Sequence, residues 1–293
     1  MRNRKLEITF SDITFEMLFD GEVRITDSFL PFVHNRGEVT YQCMFQCVEQ
    51  LPELKGQIVE QNIEYQIIQD ESGEYRQFID HFNGDRPYSV TSYDWENRRL
   101  YVFYLPDVRQ RFSDTRLAFF HLGWEKILLR EGRMLLHASC IDTPYGGLLF
   151  SGPSGMGKST QADLWCRYAK AVQINGDRPV LRKECDGWSA WGSPYAGSSG
   201  YHIDQSCRIR AVFALEQSRE NRAERLGSSE AFGALYREMI VNSWDAAYVS
   251  DLSALLSEFV KEVPVYRLWC TADEHAVDYV RKMLEEGEED AGF

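Results

Sequence analysis

The sequence predicts a mixed α/β (α+β) protein, in which a smaller, strand-rich N-terminal domain precedes a domain of alternating strands and helices. Three observations predict it. Short alternating apolar runs fill residues 6–105, apolar positions at three- and four-residue steps mark a helix near residue 115, and a glycine-rich loop at 152–159 joins an apolar strand to a helix.

The N-terminal domain, expected over 1–112, rests on the runs 64–69, 74–78 and 99–104, whose alternation suits half-buried strands. Turn signals at Asp20-Gly21, Ser72-Gly73 and Asn83-Gly84 favour hairpins and hence an antiparallel sheet. A helical insert is expected over 41–54. The start, Met1-Arg2-Asn3-Arg4-Lys5, is basic but leads into the alternating 6–10, which reads as a strand rather than the apolar core of a signal peptide.

A connector helix is expected over 113–132. Ser113-Asp114-Thr115 supplies an N-cap, and Leu117, Phe120, Trp124, Ile127 and Leu128 recur at helical spacing up to Gly132. Beyond it, 134–141 and 147–151 read as two strands split by the turn 143–147. A helix at 160–170, a strand at 171–174 and a hairpin from 179–182 and 188–191 follow. Then come a strand at 208–215, helices at 229–241 and 252–260, a strand at 265–269 and a closing helix at 273–284. The second domain thus spans 133–286, and an acidic tail covers 287–293.

Composition narrows the partners. Of 293 residues, 44% are hydrophobic and 26% charged, and no stretch approaches the roughly 18 consecutive apolar residues of a membrane helix. The net charge of −13 argues against a broad nucleic-acid surface, which relies on clustered Lys and Arg. Seven cysteines without a CxxC pair fit a reduced, cytoplasmic location better than a disulfide framework. Cys43 and Cys47, at i,i+4, suit a helix face, but a metal reading lacks a second ligand pair.

The loop Gly152-Pro153-Ser154-Gly155-Met156-Gly157-Lys158-Ser159 carries the chemistry. Its pattern, G-x-x-x-x-G-K-[ST], uses glycines so that the backbone can curl around an anion with its amides inward. Lys158 offers a charge to the outer phosphates of a nucleotide, and the Ser159 hydroxyl offers a ligand to Mg2+. Thr160 continues the helix whose N-terminal end points at the same anion. The expected cofactors are ATP and Mg2+.

A P-loop enzyme also needs a second acid. Asp177, in Asn175-Gly176-Asp177-Arg178, follows a strand expected to run beside the phosphate loop and so faces Lys158; the alternative is an ordinary Asp-Arg turn. His137 sits in an apolar strand leading to the site, where a core histidine and a catalytic one are both open readings. Asp142 is equally open. Arg208, Arg210, Arg219, Arg222 and Arg225 are candidates to stabilise phosphoryl charge, the last three on a helical or turn segment.

The order His137-Ala138-Ser139, the glycine-rich loop, then Asn175-Gly176-Asp177-Arg178 resembles the HPr kinase/phosphorylase family and its HprK-related kinases. Their P-loop domain is similar to that of ATP-dependent phosphoenolpyruvate carboxykinase. The resemblance covers about half the chain, from Leu135 to Leu284. It implies an ATP-dependent phosphotransferase in which His137 lies near the transferred phosphoryl group and Asp177 serves Mg2+ and the acceptor hydroxyl. The family has an Asp-Asp pair where this chain has Gly176-Asp177. The family's Arg- and Gly-rich signature for its protein substrate is replaced by 192–204, still a glycine-rich loop suited to closing over an acceptor. HPr is therefore not implied as substrate. The wider group, some of whose members phosphorylate a peptide serine, leaves a peptide, protein or small-molecule hydroxyl as acceptor, with homo-oligomerisation open.

Two other readings stay open. One is a nucleotide-dependent regulatory or peptide-binding module, favoured by the lost second Asp. The other is a P-loop ATPase of another lineage, in which Glu216 ends an apolar strand as the second acid.

Overall fold

The alternation in the first hundred residues is explained by an eight-stranded sheet. In the computed structural model, which describes residues 2–34, 37–195 and 197–289, the chain divides into two units, Met1–Ile127 and Leu128–Phe293. The first holds β1 (Arg2–Phe10), β2 (Ile13–Arg24), β3 (Tyr41–Cys47), β4 (Gln57–Gln61), β5 (Tyr65–Asp70), β6 (Gly73–Asp80), β7 (Arg86–Asp94) and β8 (Arg99–Tyr104). Their order in the sheet is β1-β2-β3-β8-β7-β6-β5-β4.

Several expectations are corrected here. The sheet is mixed, because β3 runs parallel to both β2 and β8. Residues 41–47 form a strand rather than a helix: Tyr41, Cys43 and Phe45 are buried while the residues between them are less so, a period of two. Cys43 and Cys47 therefore stand about 13 Å apart along an extended chain, at about 3.3 Å per residue, too far to share a metal. Asp20-Gly21 is not a turn but part of β2, and the Asp20 carboxylate accepts from Cys47 N. The first hairpin turns instead at Ser11 and Asp12, with φ of 49° and 56°. Short polar side chains tolerate this left-handed backbone, which matches the strand twist. The connector is two helices, α1 (Thr115–Phe120), capped by the Asp114 carboxylate on Leu117 N, and α2 (Trp124–Arg130). Gly123, at φ 62°, separates them, and a Cβ there would meet Tyr93 Oη at 2.7 Å.

The second unit contains β9 (Arg133–Leu135), β10 (Ala138–Thr143), β11 (Gly146–Ser151), α3 (Lys158–Ala169), β12 (Val172–Asn175), β13 (Val180–Glu184), β14 (Gly187–Trp191), β15 (Ser206–Gln217), β16 (Arg222–Arg225), α4 (Ser228–Tyr236), α5 (Ala246–Glu262), β17 (Val265–Cys270) and α6 (Glu274–Glu289). The sheet runs β12-β10-β11-β15-β14-β13-β9, with β17 also on β15 and β16 on β17. Alternating side chains feed two cores. Leu149 and Val212 point to one, with Leu235, Leu252, Leu256 and Phe259 of α4 and α5. Leu148, Phe150 and Phe213 point to the other, with Ala162 and Trp165 of α3 and Val277 and Val280 of α6. The sheet is thus the middle of three layers.

Four further differences bear on the site. The single strand expected over 134–141 is broken at Leu136-His137, because β9 pairs with β13 while β10 pairs with β11 and β12. The strand before Asp177, β12, lies beside β10 and not beside β11, so it is one strand removed from the phosphate loop. Arg222 and Arg225 are on a strand, not a helix, drawn into pairing with β17. Finally, α6 carries the chain into the expected tail as far as Glu289, and 290–293 lie outside the described residues.

Candidate active site

β11 ends at Ser151 and α3 begins at Lys158, and the loop between them needs its glycines. Gly152, Gly155 and Gly157 have φ of 147°, 81° and 106°, backbone that side chains rarely adopt. A Cβ on Gly155 or Gly157 would meet nothing within 4 Å, so the space over the loop is open. The first N–H groups of α3, a helix of 12 residues, have no partner within the helix and face this space with its positive end. These residues fit a polyphosphate.

A cleft of about 300 Å³ lies there, lined by His137, Ser154, Gly155, Gly157, Lys158, Ser159, Thr160, Gly176 and Asp177. The predicted residues of the loop, His137 and Asp177 thus come together, while Gly152, Pro153 and Met156 line a second cavity described below. The Lys158 ammonium donates to the carbonyls of Gly152 at 2.7 Å and Pro153 at 3.1 Å. Burial holds its pKa below the usual lysine value. Among the described residues there is no cluster of three or more His, Cys, Asp or Glu that could hold a metal. An ion bound by Ser159 and Asp177 would take its remaining ligands from phosphate and water, as Mg2+ does.

Asp177 is held by a turn built around Asn175. The Asn175 side-chain oxygen accepts from Asp177 N at 2.9 Å and Arg178 N at 2.7 Å, while its amide donates to the carbonyls of Ser193 and Tyr195, each at 3.0 Å. Gly176 N donates to Tyr201 O at 3.1 Å, and Ile203 N to Ile174 O at 3.0 Å. The expected closing loop, 192–204, is therefore tied to the turn that carries Asp177, and Gly197 is packed against the Asp177 side chain.

His137 stands between two carboxylates. Its Nε2 is 3.4 Å from Asp177 Oδ1 and its Nδ1 is 2.9 Å from Glu238 Oε2. Burial, helped by the charges of Lys158 and Arg178, pulls its pKa below the usual value, while Glu238 and Asp177 oppose this. The ring is then neutral at pH 7, with the Nδ1 proton donated to Glu238 and Nε2 turned to Asp177. At 3.4 Å the second contact is too long for a good hydrogen bond.

Sequence reading missed Glu238, just beyond α4. No motif or spacing marks it, since its contact with His137 spans 101 residues. Arg178 was legible only as part of the motif; its side chain lies 4.0 Å from Asp177. The other candidates lie elsewhere. Asp142 is exposed and opposite Gly147, at the far end of β10 and β11 from the loop. Arg208 pairs with Asp186 at 3.0 Å, and Arg222 stacks 3.8 Å over Trp269. Glu216, at the end of β15, lines a second cavity of about 200 Å³ behind the phosphate loop, with Gly152, Pro153, Arg237, Glu238 and Arg267.

No family model matches the chain. No curated protein matches it either. Among solved structures, the Hpr(Ser) kinase/phosphatase from Coxiella burnetii is similar over 54% of this chain and 96% of its own, at 12% identity and a TM-score of 0.32. The described residues contain no helix long and apolar enough to cross a membrane.

Proposed function

We propose that this chain is an ATP-dependent phosphotransferase that moves the terminal phosphoryl group of Mg-ATP to a hydroxyl of a peptide, protein or small molecule in the cytoplasm. One observation carries the reading: an open phosphate cradle, Asp177 and His137 meet at one cleft, and Glu238 holds the imidazole from its other side.

The loop amides between Ser154 and Thr160 and the Lys158 ammonium hold the phosphates. Lys158 leaves its own loop carbonyls to do so, exchanging two neutral acceptors for an anion. The Ser159 hydroxyl and the Asp177 carboxylate would be the protein oxygens for a bound Mg2+, which would neutralise phosphate charge. The bond from the γ-phosphorus to its bridging oxygen breaks, and a bond to the acceptor oxygen forms. The acceptor proton passes to Asp177 and is shared with His137 Nε2, while the electron pair of the broken bond leaves on ADP. Glu238 fixes the His137 tautomer from the other side, as a carboxylate does behind a catalytic imidazole.

The test is transfer of label from γ-labelled ATP to serine peptides and polyols with Mg2+ present. Wild type should label an acceptor and Lys158→Ala should lose about 10³-fold or more, as expected where catalysis is positioning and charge neutralisation. Equal labelling by Lys158→Ala sinks the proposal.

A P-loop ATPase remains as a second reading because β15, which carries Glu216 next to its last residue, lies parallel beside the strand that leads into the loop. Loss of hydrolysis in Glu216→Gln with hydrolysis intact in Asp177→Asn would select it.

A further inference from the structure

Half of the exposed large apolar side chains among the described residues gather at one corner of the N-terminal sheet. They are Ile58 and Val59 on β4, Ile63 in the turn to β5, Phe82 just after β6, and Leu117 on α1. Phe82 and Ile63 are 98% and 81% exposed. Apolar surface gathered in this way marks an interaction site, whereas single exposed residues do not. Ile63, Phe82 and Leu117 line a cavity of about 620 Å³ together with the better-buried Ile79, Tyr88 and Phe120.

The polar groups of this cavity are occupied with one another. The Asp80 carboxylate accepts from Phe82 N at 3.1 Å, Asn83 Nδ2 at 3.1 Å and Arg111 at 2.9 Å. Arg111 also lies 4.6 Å from the centre of the Tyr88 ring. Tyr88 Oη donates to His121 Nε2 at 3.2 Å, and His121 Nδ1 donates to Leu117 O at 2.7 Å. Burial holds His121 neutral, with its pKa lowered to about 4. The cavity thus offers an incoming group carbon rather than unmet hydrogen bonds, which suits a large apolar side chain.

Charge decides what flanks that side chain. With Asp80 matched by Arg111 and His81 by Asp85, the lining is left with the Glu64 carboxylate in excess. Glu60 on β4 adds a second, and neither forms an ion pair among the described residues. Lys55 and Arg116 are neighbours in sequence of β4 and of Leu117, but neither lines the cavity. β4 leads directly into Ile63 and Glu64, so the edge of the sheet and the cavity are continuous. As the last strand of its sheet, β4 pairs only with β5, which leaves its outer backbone edge without a strand partner. A register slip between Ile58 and Glu60 makes a bulge there. A bulge shortens any ladder that adds to the edge, so the cavity is the main source of affinity.

We propose that this corner docks an extended, basic segment of a peptide or protein. A large apolar side chain of the segment, best an aromatic one, enters the cavity. Its lysine or arginine neighbours face Glu64 and Glu60, and its backbone meets the outer edge of β4. The inference rests on the phosphotransferase reading only in taking the docked chain to be the acceptor; the docking is measured without ATP.

The probes are three acetylated, amidated pentapeptides. The first is lysine-threonine-phenylalanine-threonine-lysine, the second has alanine at its centre, and the third has glutamate in place of lysine. Calorimetry on the full chain should show the first bound about tenfold or more tightly than either of the others, the effect expected for burying one aromatic side chain. Phe82→Ser and Ile63→Ser, at side chains almost wholly in solvent, should each weaken it about fivefold or more with the circular dichroism spectrum unchanged. Glu64→Gln, or high salt, should narrow the preference for lysine over glutamate and leave that for phenylalanine over alanine. Leu30→Ser, an exposed apolar residue elsewhere in the same unit, should change nothing. No binding of the first peptide, equal binding of the alanine or glutamate peptide, full binding by Phe82→Ser and Ile63→Ser, or equal weakening by Leu30→Ser overturns the docking site. Self-association that these two variants abolish overturns it in favour of a second copy, and tighter binding of phenethylamine than of the peptide in favour of a small amine. Label transfer to a polyol without peptide binding overturns the docking site and keeps the phosphotransferase. Peptide binding without transfer to any acceptor does the reverse.

Discussion

Glu238→Gln removes one charge from the row of three groups and changes little else, since the amide is nearly isosteric with the carboxylate. The His137–Glu238 contact is 2.9 Å, between side chains 20% and 12% exposed, so solvent screens it weakly. A hydrogen bond to a charged partner contributes about 1.5–3 kcal/mol, and a neutral amide that still accepts keeps part of it. The expected loss of stability is therefore about 1–2 kcal/mol. The catalytic loss is larger, because the amide can also donate and then favours the wrong imidazole tautomer; a fall of about 10²-fold in transfer rate is expected. The pH profile carries the sign. Glu238 is one of the groups that raise the His137 pKa against burial, Lys158 and Arg178. Without its charge the imidazole protonates only at lower pH, so the acid limb of the rate profile should move down. The assay is label transfer from γ-labelled ATP between pH 5 and 8, at saturating Mg2+, for wild type and variant. An acid limb that moves up, or a rate within threefold of wild type, refutes the coupling of Glu238 to His137 as a working pair.

A Cβ on Gly197, at φ 57°, would lie 2.8 Å from Asp177 Cβ and 2.9 Å from its Cγ, so Gly197→Ala should push the carboxylate aside; transfer should fall about 10- to 100-fold with ATP-analogue affinity unchanged by calorimetry. At Gly192 a Cβ would stand 1.8 Å from the backbone oxygen of Ile203. Gly192→Ala should therefore cost about 2–3 kcal/mol in urea unfolding, because the 2.9 Å bond from Gly192 N to Gln205 O must shift. Arg76 and Glu125 form a buried ion pair at 2.6 Å; Arg76→Leu alone should cost about 3–5 kcal/mol in the same assay, and Arg76→Leu with Glu125→Leu distinctly less. Burial lowers the pKa of His121 from 6.5 to about 4, so the unfolded chain takes up a proton that the folded one refuses. Stability is then full above pH 6.5 and is lost as the pH falls toward 4. At about 1.4 kcal/mol per pH unit the loss approaches 3 kcal/mol, and His121→Phe should flatten that part of the stability curve.

Much of the second unit was legible because its signals are local. The loop 152–159 declares itself by residue type, and the strands at 147–151 and 208–215 by the apolar stretches 147–150 and 211–215 that suit a strand buried on both faces. The failures share a cause: each depended on a partner distant in sequence. Tyr41–Cys47 alternates apolar and polar residues, yet only its parallel pairing with β2 and β8 selects the strand over the helix. The break at His137 reflects the diversion of β9 to β13 and β10 to β11, which no local pattern records. Asp20-Gly21 carries the composition of a turn, but the sheet holds it extended. Glu238 could not be found for the same reason, since its role exists only across the contact to His137.

That contact is set by the main chain. His137 N donates to Glu238 O at 2.9 Å, and Ala138 N donates to Asp177 O at 3.1 Å. Leu136 and Met239 form a bridge next to the first of these. The break between β9 and β10 thus lets one short segment bond the turn after α4 that carries Glu238 and the Asp177 turn at successive residues. Because peptide groups fix the three residues, the spacing of the two carboxylates around the imidazole does not depend on the ion pairs between them. Neutralising Glu238 or Asp177 should then leave the other groups where they are, so a change in rate or pH profile reports charge and proton position rather than collapse of the site. A row held only by its own salt bridges would have rearranged on loss of any member. Here the β-break is what allows an imidazole to be read against two carboxylates, Asp177 and Glu238, that are far apart in sequence.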